Sequence, residues 1–493
     1  MKKTILLFLL IIFRLSFTSA QTNISAGNVS GSWTMTGSPY LINGTIQIPS
    51  GQTLTIDPGV TVNFQDTFKL KVQGSLIAIG TAADTIVLTA NNITKGWQGI
   101  RFDNTPTTND TSKFIFCKLK YGKATGSSPD DNGGAFYFNN YSKAIISNCL
   151  ISNCKANNYG GAIYCNYGNP IISNNIIRNN DADYSGIGLG GGIYCKFSYP
   201  KIIKNKISNN SAFGGGGIYC DMSSHPAIIN DIITNNSSYM GGGGISCYSS
   251  PYSNPTVTNC SITNNTSLNG GGAIDCSSGA CPTFINCIFW GNTAAYGVTM
   301  NLGAQSTQPN FYFCDVQGDS SGFSHAVVGP YTGTYLNNVN INPLFVAPST
   351  GSGINYNGIS GDWSLQWNSP CINSGNPDTS GLKLTVTDLA ENPRINGGHI
   401  DMGAYEYQGT VGIYSDSNSD QLSMFPNPAT NNLTIETPQQ AIIEISNTQG
   451  QIIKTFETKE DKTTLDVSGF SSGVYIVSVE TDKGVWRGKF VKE

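Results

Sequence analysis

Charged side chains are scarce in this sequence of 493 residues, because Asp, Glu, Lys and Arg together make up only 12% of it. That share is about half of what soluble domains usually carry. The formal net charge is −4. Nucleic acids and anionic membrane surfaces attract proteins with concentrated positive charge, so the composition argues against both as partners.

Long apolar runs are also missing. Beyond residue 20, no stretch approaches the roughly 18 apolar residues that a membrane-spanning helix needs. The chain begins with Lys2 and Lys3, continues with an apolar run over 5–13 and reaches small residues at 18–20. This is the three-part pattern of a secretory signal peptide. We therefore predict that residues 1–20 are removed on export and that the mature protein has no transmembrane segment.

The signatures of metal sites and disulfide frameworks are absent as well. The three histidines are scattered and no paired Cys-x-x-Cys motif occurs, which disfavours zinc. The 13 cysteines are odd in number, and most recur at fixed positions of a repeat, unlike cysteines that staple the loops of a small domain. We interpret them as buried apolar columns. No cofactor is predicted, and Ca²⁺ is left open without residues that support it.

The chain contains instead a repeat that runs from residue 159 to residue 292. Five copies of one phrase join glycines, an aliphatic residue and a cysteine: GGAIYC at 160–165, GGGIYC at 190–195, GGGIYC at 215–220, GGGISC at 242–247 and GGAIDC at 271–276. A second phrase follows each copy, as in PIISNNIIRNN at 170–180. Repeats of roughly 20 to 50 residues indicate a solenoid, a propeller or an array.

Both phrases are short β-type runs with alternation of period two, and neither has helical spacing. Leucine-rich repeats and propeller blades follow other frames. The pattern therefore predicts an all-β fold, a right-handed parallel β-helix of the pectate-lyase-like type, with about 10 to 13 coils. We place it at residues 21–408, with capping coils at its start and a closing segment from about 362 to 408.

Stacked coils place equivalent residues in columns. The repeated isoleucines and the cysteines two positions later are predicted to point inward, so the residues between them point outward. Asparagines at the end of the second phrase are predicted to form a hydrogen-bonded ladder. Its members are Asn180, Asn210, Asn236, Asn265 and Asn292.

The outward column is the candidate binding site. It contains Tyr137, Tyr164, Tyr194 and Tyr219, and Asp275 is its one acidic member. Aromatic rings offer flat, amphipathic surface to sugars or protein partners. We therefore favour an adhesin-like protein that binds glycans or other cell-surface ligands without catalysis. Ordinary packing between neighbouring strands is an equally weighted explanation for the tyrosines.

The alternative is a polysaccharide lyase or glycoside hydrolase that acts on the outer face of the β-helix. Such a site needs clustered carboxylates, and a lyase needs an Arg or Lys as base. The outward column supplies only Asp275, so an outward cluster of carboxylates in a groove would favour the enzyme. Other charged residues fall in the second phrase, namely Arg178, Lys201, Lys204, Lys206 and Asp231.

Two motifs close the β-helix, SPCINSG at 369–375 and TDLAENPRINGGHIDMGAYEY at 387–407. They resemble the closing segment of bacterial surface β-helix proteins called the choice-of-anchor Q family. The resemblance implies a cell-surface or secreted β-helix whose C-terminal anchor varies. The glycine-rich phrase also resembles repeats of polymorphic outer-membrane adhesins.

Residues 422–493 differ in composition and follow a polar linker at 409–421. About six or seven short strands predict a small Ig-like β-sandwich. FPNP at 425–428, ISNTQGQ at 445–451, GVYIVSV at 473–479 and KFVK at 489–492 closely resemble the type A sorting domain of type IX secretion. The resemblance implies the type IX secretion machinery as partner, and a secreted or outer-membrane surface location in a Gram-negative bacterium.

Overall fold

The computed structural model describes residues 21–184, 186–248, 253–295, 297–303, 307–325, 331–409, 422–437, 441–447, 451–481 and 484–493. The chain divides into two compact units, 1–410 and 411–493. The predicted signal peptide and residues 410–421 of the predicted linker lie outside the described residues. Within the described part of the chain, no helix is both long and apolar enough to cross a membrane.

The first unit is a right-handed parallel β-helix of about 11 turns, which confirms the predicted fold. The described residues of its turns build three parallel sheets of 12 strands each. Sheet 1 contains Thr22–Ile24, Tyr40–Ile42, Thr61–Phe64, Ile86–Ala90, Cys117–Lys120, Leu150–Ser152, Ile176–Arg178, Lys206–Ser208, Ile232–Thr234, Ser261–Thr263, Ile288–Trp290 and Asp315–Val316. Sheet 2 contains Gly27–Asn28, Ile46–Ile48, Leu70–Val72, Ile100–Asp103, Phe136–Asn139, Ile163–Asn166, Ile193–Lys196, Ile218–Asp221, Ile245–Cys247, Ile274–Cys276, Met300–Leu302 and Ser324–His325.

Sheet 3 is present in the same turns as sheets 1 and 2, and a shorter sheet 4 of seven strands is added in the middle turns. Among the described residues, 3₁₀ helices lie at Met35–Gly37 and Ser320–Gly322. Sheet 3 contains Gly31–Trp33, Thr53–Ile56, Ser75–Ile79, Ser112–Ile115, Ala144–Ser147, Ile171–Ser173, Lys201–Ile203, Ala227–Ile229, Thr256–Thr258, Thr283–Ile285, Asn310–Tyr312 and Tyr335–Leu336. Sheet 4 contains Lys123–Ala124, Lys155–Ala156, Asp181–Ala182, Ser211–Gly214, Ser237–Met240, Thr266–Asn269 and Thr293–Ala294.

The columns are in register, as the repeat predicts. Ile163 pairs with Ile193 and Cys165 with Cys195, and the same pairing continues through the later copies. Both columns lie in the interior core. All 13 cysteines are free thiols, and all but the half-buried Cys281 are buried. The cysteines therefore pack as small apolar side chains, as predicted.

The asparagine ladder is also confirmed. The side-chain amide nitrogen of Asn180 donates to Oδ1 of Asn210 over 2.9 Å, and Asn210 donates in turn to Asn236 over 3.0 Å. The series continues through Asn265 to Asn292. Each asparagine nitrogen also donates to a backbone carbonyl of the preceding turn. The ladder therefore satisfies polar groups that are buried at the corner after sheet 1.

A second buried column runs through the corner between sheets 3 and 1, and it mixes residue types. The Sγ atom of Cys149 accepts the backbone N–H of Cys117, and Oδ1 of Asn175 accepts that of Cys149. Further along, Asn205 donates to Asp231 over 2.9 Å. Burial raises the pKa of Asp231 to about 7. Asp231 thus belongs to the interior of the solenoid and not to an outer site.

The segment after the last turn folds back along the outer face of sheet 1. Its short antiparallel strands, Phe345–Ala347 and Asp362–Leu365, help to form an outer core in which Trp363 and Met402 pack on Ile288. Three corner asparagines fasten this segment, because their side chains donate to backbone carbonyls within 349–356: Asn209, Asn235 and Asn264.

Acidic residues of the closing motif cap turns inside this segment. Asp388 accepts the backbone N–H groups of Ala390 and Asn392, and Asp401 accepts those of Asn373 and Tyr407. Buried Arg394 donates to the backbone carbonyls at 401 and 403. The motif is therefore explained by structure, since its charged groups hold the backbone of the return segment.

The described residues of the second unit form two antiparallel sheets that share one core. Its described strands form a sheet of three, Met424–Phe425, Asn432–Glu436 and Lys462–Asp466, and a sheet of four, Ala441–Asn447, Ile452–Thr458, Gly473–Thr481 and Gly484–Lys492. Leu433 and Ile435 from the first sheet pack with Ile443 and Val477 from the second. This arrangement agrees with the predicted sandwich.

Candidate functional site

The predicted tyrosines lie on the outer face of sheet 2, as expected, and they form one continuous stack. Ring centroids are 5.1 Å apart between Tyr137 and Tyr164, 5.5 Å between Tyr164 and Tyr194, and 5.6 Å between Tyr194 and Tyr219. The four side chains form a hydrophobic cluster of their own, separate from the interior core. The direction of the column was therefore predicted correctly.

The exposure of the stack was predicted wrongly. Tyr194 is 1% exposed, and the other three tyrosines are 6% to 7% exposed. The glycine-rich segment before each strand folds over the rings, and a Cβ atom added at Gly215 would lie 2.9 Å from Cβ of Tyr219. Tyr159 also stacks on Tyr194, at 4.6 Å. The rings are thus packed under the chain and present little surface to a ligand.

Hydrogen bonding and burial hold the stack in a neutral state. The hydroxyl of Tyr194 donates to Oδ2 of Asp221 over 2.6 Å. Burial raises the pKa of Tyr137 to about 12, and burial also raises the pKa of Tyr164, Tyr194 and Tyr219. All four hydroxyl groups remain protonated at physiological pH.

Asp275 lies in the same column but is separated from the rings by Ser246. It is buried, and it accepts a hydrogen bond from the amide of Asn301 over 2.7 Å. Burial raises the pKa of its carboxyl group. Five turns separate it from Tyr137, which is about 24 Å at ~4.8 Å per turn. The structure therefore does not bring Asp275 together with the open end of the column.

The column continues beyond Tyr137 toward the start of the chain, where it becomes charged and open. Tyr137 pairs in register with Arg101, Arg101 with Lys71, and Lys71 with Gln47. A groove of about 320 Å³ lies here. Its lining residues are Gln47, Lys69, Lys71, Gln73, Arg101, Asp103, Pro129, Asp130 and Tyr137.

Arg101 is the most constrained residue of this groove. Its guanidinium lies over the Tyr137 ring, 5.4 Å from the centroid, and its Nε donates to the backbone carbonyl of Gln98 over 2.7 Å. Nη1 donates to the carbonyl of Asn132. Burial lowers the pKa of Arg101 to about 10, so the group remains cationic at neutral pH. The tyrosine stack thus supports a fixed cation at the end of the groove.

Two carboxylates line the same groove. Asp130 forms an ion pair with Lys69, and Oδ1 of Asp103 accepts hydrogen bonds from the amides of Asn104 and Asn139. Within the part of the chain that the structure describes, no group of three or more His, Cys, Asp or Glu side chains could hold a metal ion. A pair of carboxylates therefore lines the groove, although the sequence identified only Asp275 in the outward column.

The basic residues of the second phrase do not form a site. Lys201 lies on sheet 3, Lys206 on sheet 1 and Lys204 at the corner between them. Lys204 is buried and pairs with Glu391 of the return segment over 2.7 Å. Asp231 lies in the interior. The charged residues that the enzyme hypothesis considered in this phrase therefore lie on different parts of the solenoid.

Exposed aromatic side chains occur instead at the turn between sheets 2 and 3. Tyr167 stacks on Phe197 at 4.7 Å, and Tyr199 on His225 at 5.4 Å. Tyr167 and Tyr199 are about half exposed. Sequence reasoning missed this line of rings and the charged groove. Reading the outward column one turn further, from Tyr137 to the middle of the run IRF at 100–102, would have identified Arg101.

Two known families match parts of the chain. Residues 183–316 match the right handed beta helix region, and residues 423–493 match the secretion system C-terminal sorting domain. Together with the fold, these matches define a secreted or cell-surface β-helix protein of a Gram-negative bacterium. Its sorting domain indicates delivery by the type IX secretion machinery.

Two individual proteins match short stretches of this chain. Protein bark beetle of Drosophila melanogaster is 39% identical over 79 residues, which covers 14% of this chain and 2% of that protein. Among solved structures, PorZ, an essential surface component of the type-IX secretion system of Porphyromonas gingivalis, is 23% identical with a TM-score of 0.14. That match covers 18% of this chain and 13% of PorZ. The chain thus spans a small fraction of either protein.

Proposed function

We propose that this exported β-helix is an adhesin-like protein that binds glycans without catalysis, and that its groove on sheet 2 is the binding site. The observation that carries the proposal is the lining of the groove. Gln47, Gln73, Lys71 and Asp103 offer amide, ammonium and carboxylate groups on one open face, and such groups can hydrogen-bond sugar hydroxyls. A volume of about 320 Å³ lies at the lower end of small-molecule sites, which suits a short stretch of a glycan.

The tyrosines take different roles in this proposal. Tyr137 is 6% exposed and lines the groove, where its ring supports the guanidinium of Arg101. Tyr164, Tyr194 and Tyr219 support Tyr137 from below through their stacking, and Asp275 has no part in the site. The exposed rings at Tyr167 and Tyr199 offer additional flat surface for sugars on the same solenoid.

Two further assignments belong to the proposal. Residues 1–20 serve as a signal peptide, and residues 21–408, 409–421 and 422–493 act as binding domain, linker and sorting domain. The closing segment from about 362 to 408 marks the chain as a relative of the choice-of-anchor Q family.

A polysaccharide lyase or hydrolase is the second candidate, because Asp103, Asp130 and Arg101 share the groove. The ion pair of Asp130 and the amide contacts of Asp103 occupy both carboxylates. Both carboxylates are thus engaged by side chains of the protein itself, which is why binding is preferred to catalysis.

A glycan-array screen of the purified protein, run beside a depolymerisation assay on every bound polymer, tests the proposal. The groove variant Gln73→Ala should lose at least about tenfold in affinity, whereas Lys201→Ala, on sheet 3, should bind as the parent does. If Gln73→Ala bound as tightly as the parent protein, the ligand would have to bind at another site. New reducing or unsaturated ends would show that the protein is an enzyme.

A further inference from the structure

The side chain of Arg101 has one nitrogen that the protein leaves without a partner. Arg101 is 5% exposed, and Nη2 is buried without a hydrogen-bond partner among the described residues. Its Nε and Nη1 donate to the backbone carbonyls of Gln98 and Asn132. Leaving a buried, charged donor unsatisfied is costly to the folded protein. The groove wall thus contains a cation whose hydrogen-bonding capacity the described residues do not fill.

No acidic side chain of the described residues neutralises this cation by direct contact. Among those residues, no salt bridge includes Arg101 or Lys71, and Asp130, an acid of the groove wall, is paired with Lys69. Coulombic attraction from Asp130 and Asp131 reaches Arg101 only as a minor influence compared with its burial. The guanidinium therefore keeps an unmet preference for an anion.

Lys71 adds a second cation on the neighbouring turn. It pairs in register with Arg101 and points to the same outer face, about 4.8 Å along the solenoid axis. Its side chain is exposed. Two like charges on adjacent strands repel each other, and an anion that contacts both removes that repulsion. The groove as a whole carries three cations and two carboxylates, which leaves one positive charge to be balanced.

We infer that the groove binds a glycan through one singly charged anionic group, a carboxylate or a sulfate ester, that contacts Nζ of the exposed Lys71 and is attracted by the adjacent guanidinium of Arg101. The inference rests on the proposed function and names the chemistry of its ligand. Gln47, Gln73 and Asp103 then face the hydroxyl groups of the same sugar. The Tyr137 ring holds the guanidinium in place by its cation–π contact.

The test compares acidic and neutral glycans on one array that carries alginate and polygalacturonate, dextran sulfate, and the neutral polymers dextran and methyl-esterified polygalacturonate. The parent protein should bind polymers of an acidic class, and the affinity should fall as salt is raised, because exposed charge pairs are screened. Whether the uronates or the sulfated polymer bind identifies the anionic group. Binding to the neutral polymers with equal affinity would overturn this inference and leave the proposed function intact. No binding to any polymer would overturn both.

The residue assignment is tested with Lys71→Gln and Arg101→Lys, and Lys201→Gln serves as the matched control for net charge. Lys71→Gln should lower the affinity for the acidic polymer about tenfold and reduce its salt dependence. Arg101→Lys keeps the charge but loses the fork of donors, and a loss of about tenfold or more is expected. Unchanged affinity in both variants would place the anion elsewhere, and circular dichroism with a thermal melt establishes that each variant is folded.

Discussion

The outward column of sheet 2 is closed along its middle and open at its beginning. Tyr164, Tyr194, Tyr219 and Arg101 are buried, whereas Lys71 is exposed, and Arg101 and Lys71 both line the groove. All of them point outward for the same reason, which is the alternation of side chains along a strand. The difference comes from the segment that precedes each strand, since a glycine-rich lead-in covers the rings. Alternation thus fixes the direction of a side chain, and the neighbouring loop decides its exposure.

Among the variants that test this comparison, we expect the largest effect, a loss of stability, from a substitution among the buried tyrosines. Tyr194→Ser removes a fully buried ring from between two others, so we expect unfolding to become easier by about 3 to 5 kcal/mol. The matched change at the open end, Lys71→Ser, should alter stability by less than about 0.5 kcal/mol. Urea unfolding followed by circular dichroism measures both. Similar losses at the two sites would show that the column is not divided in this way.

Removing only the hydroxyl group of the same residue should have a smaller effect. In Tyr194→Phe the ring stays, but Asp221 loses the donor that lies 2.6 Å from it. Leaving a buried carboxylate without this partner is expected to cost about 1 to 3 kcal/mol. The same urea series measures it, and Tyr164→Phe is a suitable control for removal of a hydroxyl from the stack. A loss in the control as large as that in Tyr194→Phe would exclude the Asp221 contact as the cause.

Asp275 should show the next smaller effect, with a defined dependence on pH. Burial raises its pKa above the ordinary value of 3.8, so the folded protein holds a proton that the unfolded chain releases. Stability therefore falls as pH rises from about 4 through the folded pKa. Asp275→Asn removes this dependence, and we expect a gain of about 1 kcal/mol near neutral pH and almost none at pH 3.

Thermal melts of Asp275→Asn and the parent protein across pH 3 to 8 would check this expectation. A difference between the two proteins that stays constant with pH would contradict the assigned burial of the carboxyl group.

The fold could be predicted because the fixed spacing of the repeat shows which residues pair between neighbouring turns. The site could not be predicted in this way, because it lies outside the repeat. GGGIYC and its copies place Ile193 and Cys195 over their neighbours at a fixed spacing, and the structure keeps that spacing. Arg101 lies in the run IRF, which lacks the glycine-rich phrase, so only an extension of the outward column by one turn before Tyr137 reaches it. The groove also depends on the contact of Lys69 with Asp130, two residues that are 61 positions apart. Distant pairs of this kind leave no local pattern.

The solvent exposure of the outward side chains was predicted least accurately from the sequence. The alternation of Ile163, Tyr164 and Cys165 correctly gave two directions, but it holds no information about what lies above the sheet. Tyr159 and the glycines before each strand cover the stack, and the turns in which they lie vary in length between copies. The same reasoning overlooked Tyr167 and Tyr199, because residues at turns fall outside a strand pattern.

Chemical modification should separate exposed from buried rings without any loss of stability, which is the smallest effect considered. Tyr167 and Tyr199 are 53% and 52% exposed, so tetranitromethane should nitrate them before Tyr164 and Tyr194. Peptide mass spectrometry at increasing reagent concentration measures the order. Early nitration of Tyr194 in the folded protein would show that the lead-in segments open readily.

The asparagine ladder has a mechanical consequence for a solenoid on a cell surface. Asn210 joins three successive turns at once, because its nitrogen donates to Ile177 of the preceding turn and to Asn236 of the next one. Amides that are linked head to tail polarise one another and strengthen the series. A force along the long axis of the solenoid is therefore resisted in parallel by the hydrogen bonds of the sheets and by this series of amides. Peeling away one turn must break both, so tension is shared over several turns.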